Sequence, residues 1–328
     1  DPTPFIAPPG PELQRPAFHR ALELLRVGEH TLAREEILSL GLSSEANGPA
    51  LWTIASLYAR AGASDLAFKV ARSRTGEWSG RFPSGKWRTP WELAYPRAFQ
   101  SIMDRETARS GIPTALGYGI MREESLFEAD AVSGAPAYGL MQLIVPTGKA
   151  MGAPLGIQVD GEALKRPEVN IPLGCRYLGQ LRAGYPAAPV LAIPSYNAGP
   201  GATKRWLDGK GAVDFDVWTE QIPYDETRNY TKRVISTMSI YSWLYEREAF
   251  EKNARLPLQV RLCRASGPNP QPQPRRAQRR QRDRDPAARV LAPPDAHAEL
   301  RCLIHHDQVR DAAHQEQVPR QRARQREN

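Results

Sequence analysis

The chain has 328 residues, of which 41% are hydrophobic and 24% charged, with a formal net charge of +8. This is enough apolar material for a packed core spread over two domains of ordinary size, and the absence of any run of 18 apolar residues excludes a transmembrane helix. The charge is uneven: residues 251–328 hold 17 Lys+Arg against 9 Asp+Glu, whereas residues 1–250 hold 27 of each, so the basicity belongs to the tail and says nothing about what precedes it.

The first residues, Asp1-Pro2-Thr3-Pro4, include no basic stretch leading into an apolar one. The sequence as it stands therefore shows no secretory signal, which is expected either to have been removed or to lie outside this piece. Residues 1–16 are rich in proline and read as extended. From Pro16 to Leu42, apolar residues recur every three to four positions (Ala17-Phe18, Ala21-Leu22, Leu24-Leu25, Ile37-Leu38) between charged ones, the spacing of an amphipathic helix. A second helix is expected over about 50–61, with Leu51, Ile54, Ala55 and Tyr58 on one face, and a third from Leu66 through Ala71. This is antiparallel helix-pair material without a countable repeat. Residues 76–99 concentrate Trp78, Phe82, Trp87, Trp91 and Tyr95 among prolines and glycines. They read as a packed connector in preference to a sugar-stacking surface.

The spacing predicts a helix over 113–126, with Pro113 early in it, because proline lacks an N–H that a first turn leaves unpaired anyway. Leu116, Ile120 and Glu124 recur every four residues and share a stripe. An acid thus stands where an apolar face should continue, and Glu123, about 100° round the helix, is expected on a different face. Burial among apolar neighbours disfavours a carboxylate, so the Glu124 pKa should be raised, as a general acid near neutral pH requires. By itself a lone helical Glu is most often a solvated one. Residues 129–136 read as a loop. Gly139 is placed for a sharp turn, Leu140-Met141 for the core, and Gln142 either for a bound ligand or as a satisfied core amide.

Further on, Asn170-Ile171-Pro172 reads as a helix start, with Asn as N-cap and proline just inside, followed by a buried stripe of Ile171, Cys175, Leu178 and Leu181. Cys175 is expected to behave as a small hydrophobe, and with Cys263 and Cys302 it forms no disulfide framework or zinc spacing. Tyr196 brings a phenol able to donate or accept, and Asn197 an amide for loop backbone. The last helix should run from about 225 to 245, with Tyr230, Val234, Met238, Tyr241 and Leu244-Tyr245 as its apolar face. Glu226 lies one turn before Tyr230, either as a first-turn charge favoured by the helix dipole or as a cleft residue.

Glu124-Ser125, Ser133, Gly139-Leu140-Met141-Gln142, Ser195-Tyr196-Asn197-Ala198-Gly199, and Ile222-Pro223-Tyr224 with Glu226-Thr227-Arg228-Asn229-Tyr230 appear in one order. Over about residues 96–250 this series resembles the soluble lytic murein transglycosylases, the SLT family with a lysozyme-like fold. The resemblance implies an all-α chain with a superhelix-like region and connector at 1–95 and a lysozyme-like SLT domain at 96–250; composition adds a third part, a disordered Arg/Pro-rich tail at 251–328. It implies cleavage of the N-acetylmuramic acid to N-acetylglucosamine bond without water, giving 1,6-anhydro ends. Glu124 would serve as acid and then base, and Ser133, Gln142, Tyr196 and Glu226 would bind substrate. No metal or cofactor is implied. The expected partner is the glycan strand of peptidoglycan, with no nucleic acid, in the periplasm or cell envelope. The alternatives are a lysozyme-type hydrolase, whose second carboxylate would be Asp130 or Glu226, and an inert peptidoglycan-binding domain. Pro136, Pro146 and Pro194 depart from the family pattern and put the loops that carry these residues in question.

Residues 255–328 alternate Pro268, Pro270, Pro272 and Pro274, then cluster arginines, and contain no aromatic residue. Such a composition cannot offset the entropy of ordering, and disorder is expected. A basic arm for an anionic polymer is one reading; the product of a reading-frame slip in a GC-rich gene is the stronger one.

Overall fold

The computed structural model describes residues 10–42, 47–247 and 259–260. A short 3-10 turn at Pro11–Gln14 replaces the extended segment expected there, and proline again supplies the first helical residue of α1 (Pro16–Arg26). The helical stretch expected from Pro16 onward is two helices, α1 and α2 (His30–Ser39), because Gly28 adopts φ +82° between them. A second packed helix pair follows, α3 (Gly48–Arg60) and α4 (Ser64–Ser73). Most of the faces read from the sequence are buried: Phe18, Ala21 and Leu25 on α1, Ile37 on α2, Ile54, Ala55 and Tyr58 on α3, Leu66, Phe68 and Ala71 on α4; Leu51 is only partly buried and Leu38 is exposed.

The aromatic segment is a packed connector. It contains α5 (Thr75–Trp78) and α6 (Arg88–Ala94). Trp78 meets Trp91 edge-on at 4.9 Å, Trp91 stacks on Tyr95, and all three are buried. Such pairs add to area burial. The connector is also tied forward, since Tyr241 and Tyr245 donate to the Pro96 and Tyr95 carbonyls, each at 2.8 Å.

Next come α7 (Gln100–Ser110) and α8 (Thr114–Ser125). Pro113 is the N-cap of α8, with ψ 137°, one place earlier than expected. A two-stranded hairpin, β1 (Ala137–Tyr138) and β2 (Leu143–Ile144), leads into α9 (Val145–Gly152). Then follow α10 (Pro167–Ala183), α11 (Ala192–Ala198), α12 (Pro200–Leu207), β3 (Val213–Asp214), α13 (Phe215–Glu220) and α14 (Asp225–Tyr245). Helix α10 corrects one expectation: it begins at Pro167, so Asn170 is inside it and not its cap, and Pro172 is an interior proline.

Helices α8 and α14 are the central pair. A side chain at Gly119 would crowd the Val234 carbonyl at 3.3 Å, so the lack of one lets the two backbones approach. One core cluster runs from Leu13 on the first turn to Leu244 on α14, and it includes the buried Cys175. The family-like region and the helix pairs therefore share a core. No helix among the described residues is long and apolar enough to cross a membrane.

The tail differs from expectation at two residues. Gln259–Val260 forms a strand, β4, antiparallel to β3, and Val260 is fully buried beside Leu191, Phe215 and Trp218. The remainder of the basic tail, with Cys263 and Cys302, lies outside the described residues.

Candidate functional site

Glu124 occupies the last turn of α8, and the chain leaves that helix abruptly. Leu126 and Phe127 both adopt left-handed backbone, φ 52° and 69°, conformations that cost a non-glycine residue free energy and cluster at functional sites. Ser125 stabilises the exit. Its buried hydroxyl donates to the Met121 carbonyl and accepts the Phe127 N–H, each at 3.2 Å.

Both acids at the end of α8 are drawn toward α14, in different settings. Glu123 is the more deeply buried, contrary to the expectation that only Glu124 turns inward. Its side chain is 0% exposed and ion-paired with Arg122 and Arg233. Glu124 keeps partial exposure, and Oε1 accepts a hydrogen bond from a neutral donor, the Tyr230 hydroxyl, at 2.6 Å. Burial pushes its pKa from 4.5 up to about 7; the Tyr230 bond opposes this, the charges of Glu123 and Glu226 add to it, and Arg233 subtracts from it. The sequence pattern assigns Tyr230 to the apolar face of α14 alone. It is core by burial, at 3% exposure, but its hydroxyl serves the acid. The signal was available, because Tyr230 lies four residues after Glu226 on one stripe and a buried phenol needs a partner.

The turn after β1 is built around Gly139 and Asn170. Gly139 has φ +75°, and a Cβ there would stand 2.1 Å from the Leu164 carbonyl. Asn170, fully buried, accepts the Met141 N–H at 2.7 Å and donates to the Tyr138 and Leu164 carbonyls at 2.8 and 2.7 Å. These bonds aim Leu140 and Met141 into the core at 0% exposure and leave Gln142 left-handed at φ 46°. The Gln142 amide nitrogen donates to the Ala131 and Gly139 carbonyls, at 3.1 and 2.8 Å, so its N–H groups lock the loop and its oxygen is the remaining polar atom. Tyr196 on α11 donates to the Met141 carbonyl at 2.8 Å. Its pKa is raised well above 10, first by burial and then by the Glu124 charge, which places it in the electrostatic neighbourhood of the acid.

Glu226 is exposed in the first turn of α14, and Asn197 Nδ2 donates to it at 3.4 Å while Asn197 Oδ1 accepts from Thr227 at 2.6 Å. Asn197 thus links α11 to α14 through side chains and not, as expected, to loop backbone. Ser133 is engaged locally: its hydroxyl donates to the Ala135 carbonyl at 2.6 Å and accepts the Ala137 N–H at 3.2 Å. These bonds close the exposed loop that feeds β1. Glu124, Tyr196, Tyr230 and Glu226 are therefore joined through the field or bonds of one acid, Gln142 through the shared 139–142 turn, and Ser133 only through its loop.

The three unusual prolines are accommodated. Pro136 lies in that exposed loop, Pro146 is the second residue of α9, and Pro194 is the third of α11. At the last two positions a helix leaves its N–H groups unpaired anyway.

The profile described as Transglycosylase SLT domain matches residues 101–219. The chain is 32% identical over 165 residues to the soluble lytic murein transglycosylase of Escherichia coli K12, a match covering 49% of this chain and 25% of that protein. It is 34% identical over 167 residues to the membrane-bound lytic murein transglycosylase C of Actinobacillus pleuropneumoniae, covering 44% of this chain and 46% of that protein. Among solved structures it superposes on an inactive glutamate-to-glutamine mutant of lytic transglycosylase Slt from Pseudomonas aeruginosa, with TM-score 0.57 and 31% identity, over 75% of this chain and 37% of that one. The complex of the 70-kDa soluble lytic transglycosylase with bulgecin A gives TM-score 0.59 at 25% identity, over 71% and 36%. The chain spans between about a quarter and a half of the length of the curated relatives it matches.

Proposed function

We propose, for a chain whose residues 101–219 belong to the Transglycosylase SLT domain family, that it is a lytic transglycosylase of peptidoglycan glycan strands. The observation that carries this reading is the setting of Glu124, a carboxyl raised to about 7 and hydrogen-bonded by the neutral Tyr230. An acid with that pKa holds a proton near neutral pH and can release and retake it. The relatives named as lytic murein transglycosylases support the substrate class, and the inactive glutamate-to-glutamine mutant of the Pseudomonas aeruginosa relative supports an essential glutamate.

In this reading Glu124 gives its proton to the glycosidic oxygen as the C1–O bond breaks. The substrate's own acetamido oxygen bonds to C1, which replaces the second carboxylate of the usual two-carboxylate mechanism. The C6 hydroxyl then attacks C1, the acetamido bond to C1 opens, and the hydroxyl proton returns to Glu124. No water is consumed, and the product end is a 1,6-anhydro sugar. Tyr230 orients the acid. Tyr196, Gln142, Glu226 and Ser133 hold the sugar and its acetamide, a contribution of orientation, Ser133 from the exposed loop that its own hydrogen bonds close. The domain limits proposed are those read from the sequence, 1–95, 96–250 and 251–328, with the second part carried on to the strand at Val260, which packs with Leu191, Phe215 and Trp218; the site of action is the cell envelope, by analogy with the murein-acting relatives.

Mass spectrometry of products from purified sacculi tests the reading. Anhydro ends from the wild type, and their loss in Glu124→Gln, are expected. Exclusively reducing ends would instead assign a hydrolase of lysozyme type, with Glu226, whose charge already acts on Glu124, as the group that activates water.

A further inference from the structure

Behind the candidate acid lies a charged cluster that the proposed chemistry does not use. Both oxygens of the fully buried Glu123 side chain are held. Oε1 accepts from Arg122 Nη1 at 2.9 Å and from Thr237 Oγ1 at 3.1 Å, and Oε2 accepts from Arg233 Nε at 2.8 Å. Arg122 is itself pinned, with its guanidinium 5.2 Å from the centre of the Phe68 ring and 4.5 Å from that of Tyr95. Arg233 is the less confined cation, 20% exposed. It follows Tyr230 by three residues on α14, so one helical turn presents both the phenol that meets Glu124 and the cation that meets Glu123.

The groups that act on Glu124 come from two helices: Glu123 on α8, and Glu226, Tyr230 and Arg233 on α14; Tyr196 on α11 feels the Glu124 charge in turn. Arg233 is the cation among them. A guanidinium beside a carboxyl favours the carboxylate and strips the proton that a general acid must keep.

We propose that Glu123 is a positioning residue that detains the Arg233 guanidinium in a cluster with Arg122 and Thr237, so that a phenol and not a cation meets Glu124. The inference rests on Glu124 being the acid. The field agrees in sign: the Glu123 charge pushes the Glu124 pKa up, and the Arg233 charge pulls it down. Formal charge in the cluster is +1 with Arg122, Glu123 and Arg233 all ionised. It becomes +2 when Glu123 is neutralised, zero when Arg233 is, and +1 again when both are.

The test is a set of pH–rate profiles on purified sacculi for the wild type, E123Q, R233Q, the double variant and E124Q. A general acid acts in its protonated form, so the rate falls as pH rises through its pKa. In E123Q that falling limb should move to lower pH by about one unit. In R233Q it should move to higher pH, and in the double variant it should return close to the wild-type position. A limb that stays in place in folded E123Q, or that fails to rise in R233Q, overturns the proposal. If E123Q does not fold, the direction of the R233Q shift decides alone. E124Q separates the two layers: retained turnover there defeats the assignment of the acid, whereas an inactive E124Q with unmoved limbs removes only the role given to Glu123.

Discussion

The Tyr230 hydroxyl donates to Glu124 Oε1 at 2.6 Å, across the contact between α14 and α8 and over 106 residues of sequence. A donor to the charged form favours that form, yet the acid is still raised to about 7, because burial outweighs the bond. The phenol thus sets the orientation of the acid at some expense to its pKa.

Tyr230→Phe should separate these two effects. Without the bond the Glu124 pKa rises further, so the falling limb of the pH–rate profile moves to higher pH. The maximal rate should drop about 10-fold or more, the scale of a lost hydrogen bond to a charged group, about 1.5–3 kcal/mol. Steady-state kinetics across pH 5–9 checks both; a lowered rate with an unmoved limb would mean that the phenol is structural only.

Glu124→Gln should stabilise the fold while it abolishes turnover. The native carboxyl titrates near 7 and the unfolded one near 4.5, so the unfolded chain sheds its proton first and wild-type stability falls as pH climbs through that window. Glutamine does not titrate. At pH 8 the variant should exceed the wild type by about 1–3 kcal/mol, and at pH 4 the two should coincide. Urea unfolding at the two pH values checks it.

The helix faces were legible because burial by period needs nothing but the local pattern: Leu116 and Ile120 on α8, and Val234, Met238 and Tyr241 on α14, are buried as read. What the pattern could not assign was the partner of each polar group. Glu123 and Glu124 are neighbours in sequence, and which is neutralised depends on Arg233 and Tyr230, more than 100 residues away. Asn170 looked like a cap from its dipeptide with Ile171 and Pro172. Pro167 starts the helix instead, and the Asn170 side chain is committed to the 139–142 turn. Val260 was hidden by composition, since a single buried strand residue makes no mark in an arginine- and proline-rich segment.

Gly139→Ala should be among the most damaging small substitutions. It would impose a side chain at φ +75° and drive Cβ to 2.1 Å from the Leu164 carbonyl, against Asn170. A shift of the turn would carry with it the Met141 carbonyl that receives Tyr196, and the Gln142 clamp. A loss of about 2–4 kcal/mol is expected, with activity reduced beyond what unfolding explains. Denaturant midpoints and specific activity of the folded fraction measure the two.

The pairing of β4 with β3 predicts that part of the tail-proximal chain is structural. Val260 is 0% exposed in a cluster with Leu191, Leu207, Phe215, Trp218 and Ile222. Val260→Asp would bury a charge there with no partner or expel the strand, and either outcome should cost about 1–3 kcal/mol. Trp218, adjacent in that cluster, should report the change as altered fluorescence. Replacing Val260 by Ile should be nearly neutral if the cluster tolerates one methyl group. Equal stability of the Asp and Ile variants would show that residues after α14 contribute nothing to the fold, and the domain boundary near 250 would then stand as first read.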